Sequence, residues 1–214
     1  MIFVAVGASN CGKSYLIKNY ILPTLLTAPS SMSDMAPIQF QFCLVVDPRS
    51  RKWPNGQYPG NRYYDANSWK RATTRTRVSC FENAEIPALT TLAWDLKDSI
   101  LVLDELDECW YNKRHATKAE LRYINRGRQE GCALVGTIKR LHGVWTDLRA
   151  QIQTYYFGGL DSPDDRAYAA KTVGVREKVL HHIPPKVFLE YRREHNERLL
   201  TTIQAGRRVI LDRL

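Results

Sequence analysis

Residues 7–14 read GASNCGKS. Gly7, Gly12, Lys13 and Ser14 satisfy the spacing G-x-x-x-x-G-K-[ST], and each residue type has a chemical task. The glycines let the chain curl tightly enough for consecutive backbone N–H groups to face phosphate oxygens. Lys13 supplies the cation for β- and γ-phosphates, and the Ser14 hydroxyl is a ligand for Mg²⁺. A helix starting near Gly12 adds the positive end of its dipole. Ala8, Ser9, Asn10 and Cys11, between the glycines, and Tyr15, just after Ser14, complete the candidate phosphate-binding set.

A second stretch, SILVLDELDE, has the composition that phosphoryl transfer needs beside such a loop. Four apolar residues, Ile100 to Leu103, run into Asp104 and Glu105. A buried parallel strand reads this way, and its polar tip falls where α/β sheets hold ligands. Asp104 is the candidate for Mg²⁺, and Glu105 the candidate general base for an attacking water. Taken alone the pattern is weak, since many strands end in acidic residues facing solvent. Its position downstream of the glycine loop gives it weight.

These side chains need elements to hold them. MIFVAV reads as a buried strand and KSYLIKNYIL as a helix that Pro23 helps to end. FQFCLVV is a second strand with Asp47 at its C-terminal edge. RVSCF, SILVL, CALVGTI, TYYFGGL and KVFLEY are further strands, KVFLEY being the last. Helices are expected in IPALTTLAWDL, in KRHATKAELRYINRGRQEG up to Gly127 or Gly131, in HGVWTDLRAQI, and in DSPDDRAYAAKTVG. The last has Ser162 as N-cap, Pro163 in the first turn and Gly174 beyond the end. Strands alternating with helices predict an α/β fold with a mainly parallel sheet flanked by helices. Residues 1–191 are read as one domain. Residues 192–214 are read as a basic extension, helical at first, that packs on the core or extends from it.

Net charge is +9, which favours a polyanionic partner, nucleic acid foremost. In segment 48–77 Arg49, Arg51, Lys52, Arg62, Lys70, Arg71, Arg75 and Arg77 alternate with Trp53, Tyr58, Tyr63, Tyr64 and Trp69. Basic and aromatic residues together suit nucleic-acid contact, and equally a solvated loop whose aromatics pack on the domain, or a subunit contact. The cysteine count is odd and no pair is spaced C-x-x-C, so reduced thiols are expected rather than disulfides or a zinc site. No apolar run reaches membrane-spanning length. MIFVAV has no basic leader and ends in the glycine loop, unlike a signal peptide.

The order of these motifs resembles the FtsK–HerA branch of P-loop ATPases, which share a RecA-like core. The resemblance covers nearly the whole chain and rests on GASNCGKS, VVDPRS, ILVLDE, GRQEGCALVGTIKR, AQIQTYYFGGL and DSPDDRAYAAKTVG. It implies ATP and Mg²⁺ as cofactors, a homo-oligomeric ring with a hexamer favoured, and ATP-driven movement of double-stranded DNA. By resemblance Arg128 is the arginine finger reaching a neighbouring subunit, with Arg126 its rival. The family's Thr-Gln sensor is broken here. Thr137 remains, but Ile138 stands in the glutamine's place, so sensing falls to Thr137, or to Lys139 in a shifted register. The short plan, with a strand from residue 2 and little beyond the core, looks like the genome-packaging ATPases of tailless icosahedral viruses with an internal membrane. That implies a cytoplasmic or virion-associated protein that could meet capsid vertex proteins. Two other readings fit parts of the sequence: a small P-loop nucleoside or nucleotide kinase with 48–77 as a lid, and a non-motor assembly or secretion ATPase.

Overall fold

A computed structural model describes residues 1–27, 40–46, 58, 60–73, 77–81, 85–109, 116–141 and 144–214. Its strands are β1 (Ile2–Val6), β2 (Phe42–Val46), β3 (Asn61–Tyr63), β4 (Val78–Phe81), β5 (Ser99–Leu103), β6 (Ala133–Ile138), β7 (Thr154–Phe157), β8 (Val187–Arg192), β9 (Glu197–Gln204) and β10 (Arg207–Arg213). The helices are α1 (Lys13–Leu16), α2 (Leu22–Thr27), α3 (Ala66–Arg71), α4 (Ile86–Leu96), α5 (Leu106–Cys109), α6 (Lys118–Arg126), α7 (Thr146–Gln151), α8 (Pro163–Val173) and α9 (Glu177–His181). The strands form one ten-stranded sheet in the order β10-β9-β8-β7-β1-β6-β5-β2-β4-β3. It is mainly parallel and flanked by helices, the architecture of a RecA-like P-loop NTPase core.

The chain divides into two compact units. The first comprises Met1, Leu22–Asp104 and His115–Val135. Within it β2 pairs in parallel with β5 and β4, and β4 pairs in parallel with β3. Every residue of β5 is buried, as expected of a strand covered on both faces. The second unit comprises Ile2–Ile21, Glu105–Arg114 and Gly136–Leu214. Here β1 pairs in parallel with β7, Phe3 opposite Thr154 and Val6 opposite Phe157. From β7 onward pairing turns antiparallel, through β8 and β9 to β10.

The structure corrects three expectations. Pro23 does not end the first helix, which runs on as α2 to Thr27. Proline has no N–H to give to the carbonyl four residues back, and its ring crowds that carbonyl. A π turn over Ile17–Ile21 precedes it, and this wider geometry takes up the misfit. KVFLEY is not the last strand, and the tail is not helical at first. Residues 197–213 form β9 and β10, with Leu199, Thr201 and Ile203 buried in alternation along β9. The β-branched run Thr201-Thr202-Ile203 and left-handed turn residues at Asn196, Ala205 and Gly206 outweigh the helix-forming charges. The short edge strand β3 was not foreseen. Asp47, Arg49, Arg51, Lys52, Trp53 and Arg75 lie outside the described residues. Of the other aromatics in 48–77, Tyr58 and Trp69 are core residues, and Trp69 donates its indole N–H to Ser79 Oγ at 2.9 Å.

Candidate nucleotide site

The glycine loop is gripped at its base by the strands beside β1. Gly7 N–H donates to Ile138 O at 3.1 Å, and Ala8 N–H to Gly159 O at 2.9 Å. A Cβ at Gly7 would stand 2.7 Å from Cys11 Sγ, and one at Gly158 would stand 2.8 Å from the same sulfur. Only glycine leaves room for this buried thiol. Burial raises the thiol's pKa, against an opposing pull from nearby Lys13, so the thiol is neutral near pH 7. Lys13 is itself buried, and its ammonium donates to Gly7 O and Ala8 O at 2.7 Å each. Gly12 caps α1 with φ +102°, a left-handed conformation that disfavours any side chain. Ser9 and Asn10 form the exposed tip, with Ser14 and Tyr15 half-buried beyond it.

These donors suit phosphate. They comprise a lysine ammonium, a backbone curled by left-handed residues and the start of a helix, with no carboxylate among residues 7–15. Within the loop the Ser14 hydroxyl is a hard oxygen donor of the kind Mg²⁺ takes. Among the described residues no group of three or more His, Cys, Asp or Glu gathers as a metal site of its own.

The loop is tied to Glu105 through β6. Ile138, whose carbonyl takes the Gly7 N–H, follows Thr137, and Thr137 Oγ1 accepts the N–H of Glu105 at 2.8 Å. Glu105 is buried and sits at φ 64°, the left-handed region a non-glycine residue enters rarely. Its carboxylate pairs with Lys139 Nζ at 2.7 Å. Asp107 Oδ2 accepts the backbone N–H groups of Lys139 and Arg140 at 3.1 and 3.2 Å, fixing the turn that carries this lysine. One unit thus holds the glycine loop, Glu105, Thr137 and Lys139.

The remaining candidates belong to the other unit. Asp104 is buried at the end of β5, its N–H on Val46 O at 3.2 Å. Arg126 is exposed at the last turn of α6, and Arg128 is half-buried on the 3₁₀ turn Gly127–Glu130. Gly131 closes that turn at φ +72°, where a Cβ would stand 2.3 Å from Asp98 Oδ1. The sequence reading placed Lys139 as an alternative sensor and missed it as the partner of Glu105. It also missed Asp107, whose only signal was its place in DELDE, and Lys186, described below.

Fold and loop together have the form of a RecA-like P-loop NTPase core. No protein-family model and no curated protein sequence matches the chain. Among solved structures the chain is similar to the genome packaging NTPase B204 of Sulfolobus turreted icosahedral virus 2 in complex with ATP-gammaS. The TM-score is 0.72 at 18% identity, covering 93% of this chain and 95% of that one. The DNA-packaging ATPase of Sulfolobus turreted icosahedral virus gives 0.68 at 15% identity, covering 95% and 98%. The cytoplasmic domain of the type VII secretion ATPase EccC of Thermomonospora curvata gives 0.55 at 14% identity, covering 94% of this chain and 23% of that one. The similarity is one of fold, the RecA-like P-loop NTPase core that the motif order implied.

Proposed function

We propose that the chain is an ATP-driven double-stranded DNA translocase, a viral genome-packaging ATPase working as a homo-oligomeric ring, with a hexamer favoured. The observation that carries this is the end-to-end similarity to a packaging NTPase, with 93% of one chain and 95% of the other superposed. The net charge of +9 supports a polyanionic partner. Residues 192–214 serve as an extension of an ATPase core over 1–191, and β9 pairing with β8 supports that role. Among the described residues no helix is long and apolar enough to cross a membrane. We place the protein in the cytoplasm of an infected cell or at the virion, where capsid vertex proteins are further partners.

In this reading Gly7 to Tyr15 hold the phosphates of ATP, with Lys13 on the β- and γ-phosphates. Ser14 and Asp104 hold Mg²⁺, which when bound supplies charge neutralisation for phosphoryl transfer. Glu105 orients a water and takes its proton. Thr137 fixes the Glu105 backbone, and Lys139 holds its carboxylate. Arg128, with Arg126 as the alternative, offsets charge in a neighbouring subunit's site, where an arginine in trans contributes about 10³ to 10⁵ in rate.

The test is ATPase rate with and without long duplex DNA, at two salt concentrations. Duplex should stimulate turnover without sequence preference, and binding should weaken steeply with salt as counterions are released. Glu105→Gln should retain ATP binding and stop hydrolysis. Arg128→Ala mixed with Lys13→Ala should recover turnover that neither variant has alone, since some interfaces then pair an intact loop with an intact finger. A second reading, a secretion ATPase acting on protein, is favoured by the similarity to EccC. Turnover indifferent to DNA selects it, and phosphate transfer to a nucleoside selects the kinase reading.

A further inference from the structure

The turn before β8 places a lysine against the glycine loop. Lys186 N–H donates to Cys11 O at 2.9 Å. Its carbonyl accepts the Thr202 hydroxyl of β9 at 3.0 Å, so the residue is pinned from both sides. Its Cα and Cγ lie 3.4 and 3.3 Å from where a Cβ on Gly12 would stand. Its ammonium lies 5.1 Å from the centroid of the Tyr15 ring. The backbone is at φ 65°, a conformation that glycine or asparagine would adopt more readily. The side chain is exposed, and among the described residues no carboxylate pairs with it. A cation held on left-handed backbone beside the glycine loop, with no carboxylate partner among the described residues, is placed to meet an anionic ligand.

We propose that Lys186 is a second phosphate-binding cation of the nucleotide site, contributed by the C-terminal part of the chain and acting beside Tyr15 on the nucleoside diphosphate portion of the ligand. The proposal rests on the nucleotide-site reading above. Lys13 is held inside the loop by two carbonyls, whereas Lys186 stands over the first turn of the helix that the loop opens. The two cations therefore overlap only at the β-phosphate. Because Thr202 and Cys11 fix its backbone, Lys186 also makes nucleotide affinity depend on the seating of β8 and β9 against the loop.

The experiment measures binding of ATP, ADP and inorganic triphosphate to the full chain by titration calorimetry. It compares wild type, Lys186→Gln, Lys186→Arg, Lys186→Gly and Lys13→Ala. Lys186→Gln should weaken ADP and ATP about tenfold, equivalent to about 1.4 kcal/mol, and Lys186→Arg should retain most of the affinity. Lys186→Gly relieves the left-handed backbone, so it should keep the thermal midpoint of wild type and still lose the affinity. That separates lost binding from lost folding. If Lys186→Gln binds ADP and ATP as wild type does while Lys13→Ala does not bind, Lys186 is outside the site and the loop reading stands. If wild type binds none of the three, the loop reading fails and the proposal with it.

Discussion

Gly136 and Leu106 meet beside Glu105, and the contact has no room for another carbon. A Cβ at Gly136 would stand 2.4 Å from Leu106 Cδ1, 3.1 Å from its Cβ and 3.3 Å from its Cγ. Ordinary carbon contacts are about 3.5–4.0 Å. Leu106 has no exposed surface, so its side chain has nowhere to swing without displacing its neighbours. Overpacking of this kind costs about 1–3 kcal/mol. Replacing glycine within a strand returns about 0.5–1 kcal/mol. Gly136→Ala should therefore destabilise by up to about 2.5 kcal/mol in urea unfolding. Leu106→Ala alone should cost about 3 kcal/mol through lost burial and a cavity. In the double variant the new methyl enters the space the leucine vacated. The two changes should then couple favourably by about 1–2 kcal/mol. Function should follow the same geometry. Leu106 succeeds Glu105 and Thr137 succeeds Gly136, so a clash here pulls on the 2.8 Å bond from Glu105 N–H to Thr137 Oγ1. Gly136→Ala should lower kcat while leaving ATP affinity nearly unchanged, and the double variant should recover part of kcat. Additivity within about 0.5 kcal/mol, or full turnover in Gly136→Ala, would refute the reasoning.

Thr137→Val removes the acceptor for the buried Glu105 amide, which should cost about 1–3 kcal/mol and lower turnover; Thr137→Ser should restore both in unfolding and ATPase assays. Glu190 has no exposed surface and accepts from Arg192 Nε at 2.7 Å and from Arg208 Nη1 at 2.8 and 3.0 Å. Arg208→Met should cost about 2–4 kcal/mol because it leaves a buried carboxylate half-paired, and adding Glu190→Gln should recover part of that loss by calorimetry. Burial pushes the Tyr155 phenol up to about 12, with Arg193 partly opposing it. A pKa raised on folding means that its stability contribution is intact below about pH 10 and lost as pH rises through 12. That loss is on the order of 2–3 kcal/mol, so urea stability should fall between pH 10 and 12, and Tyr155→Phe should flatten the fall.

The loop at residues 7–14 was legible because the spacing of Gly7, Gly12, Lys13 and Ser14 demands a tight turn ahead of a helix, and Gly12 does cap α1. The buried parallel strands were legible too, since runs such as IFVAV and SILVL suit only a strand covered on both faces. The cap of α8 was read residue by residue, and Ser162 Oγ does accept the Asp165 N–H. What escaped the sequence depends on contacts between distant segments. Lys139 meets Glu105 only because β6 ends beside the turn after β5. Lys186 meets Gly12 across more than 170 positions, and nothing local marks it. The tail misled because its charges suit a helix, while the decisive β pairing comes from β8. Ile138 was read as a lost sensor. The structure uses its carbonyl for Gly7 and buries its side chain.

The pairing of β1 with β7 has a consequence for how the chain acquires its shape. Phe3 lies opposite Thr154 and Val6 opposite Phe157. β1 must wait for a partner about 150 residues downstream. At about 5–20 residues per second, synthesis leaves IFVAV without that partner for roughly 10–30 s. The glycine loop has no fixed base in that interval, because Ile138 and Gly159, which grip Gly7 and Ala8, are also still to come. Such long-range closure is slow relative to local helix formation. Until then the nascent chain carries IFVAV as an apolar strand without its β7 partner, a target for chaperones. Release from the ribosome before residue 159 should yield an aggregating fragment with no capacity to hold a nucleotide.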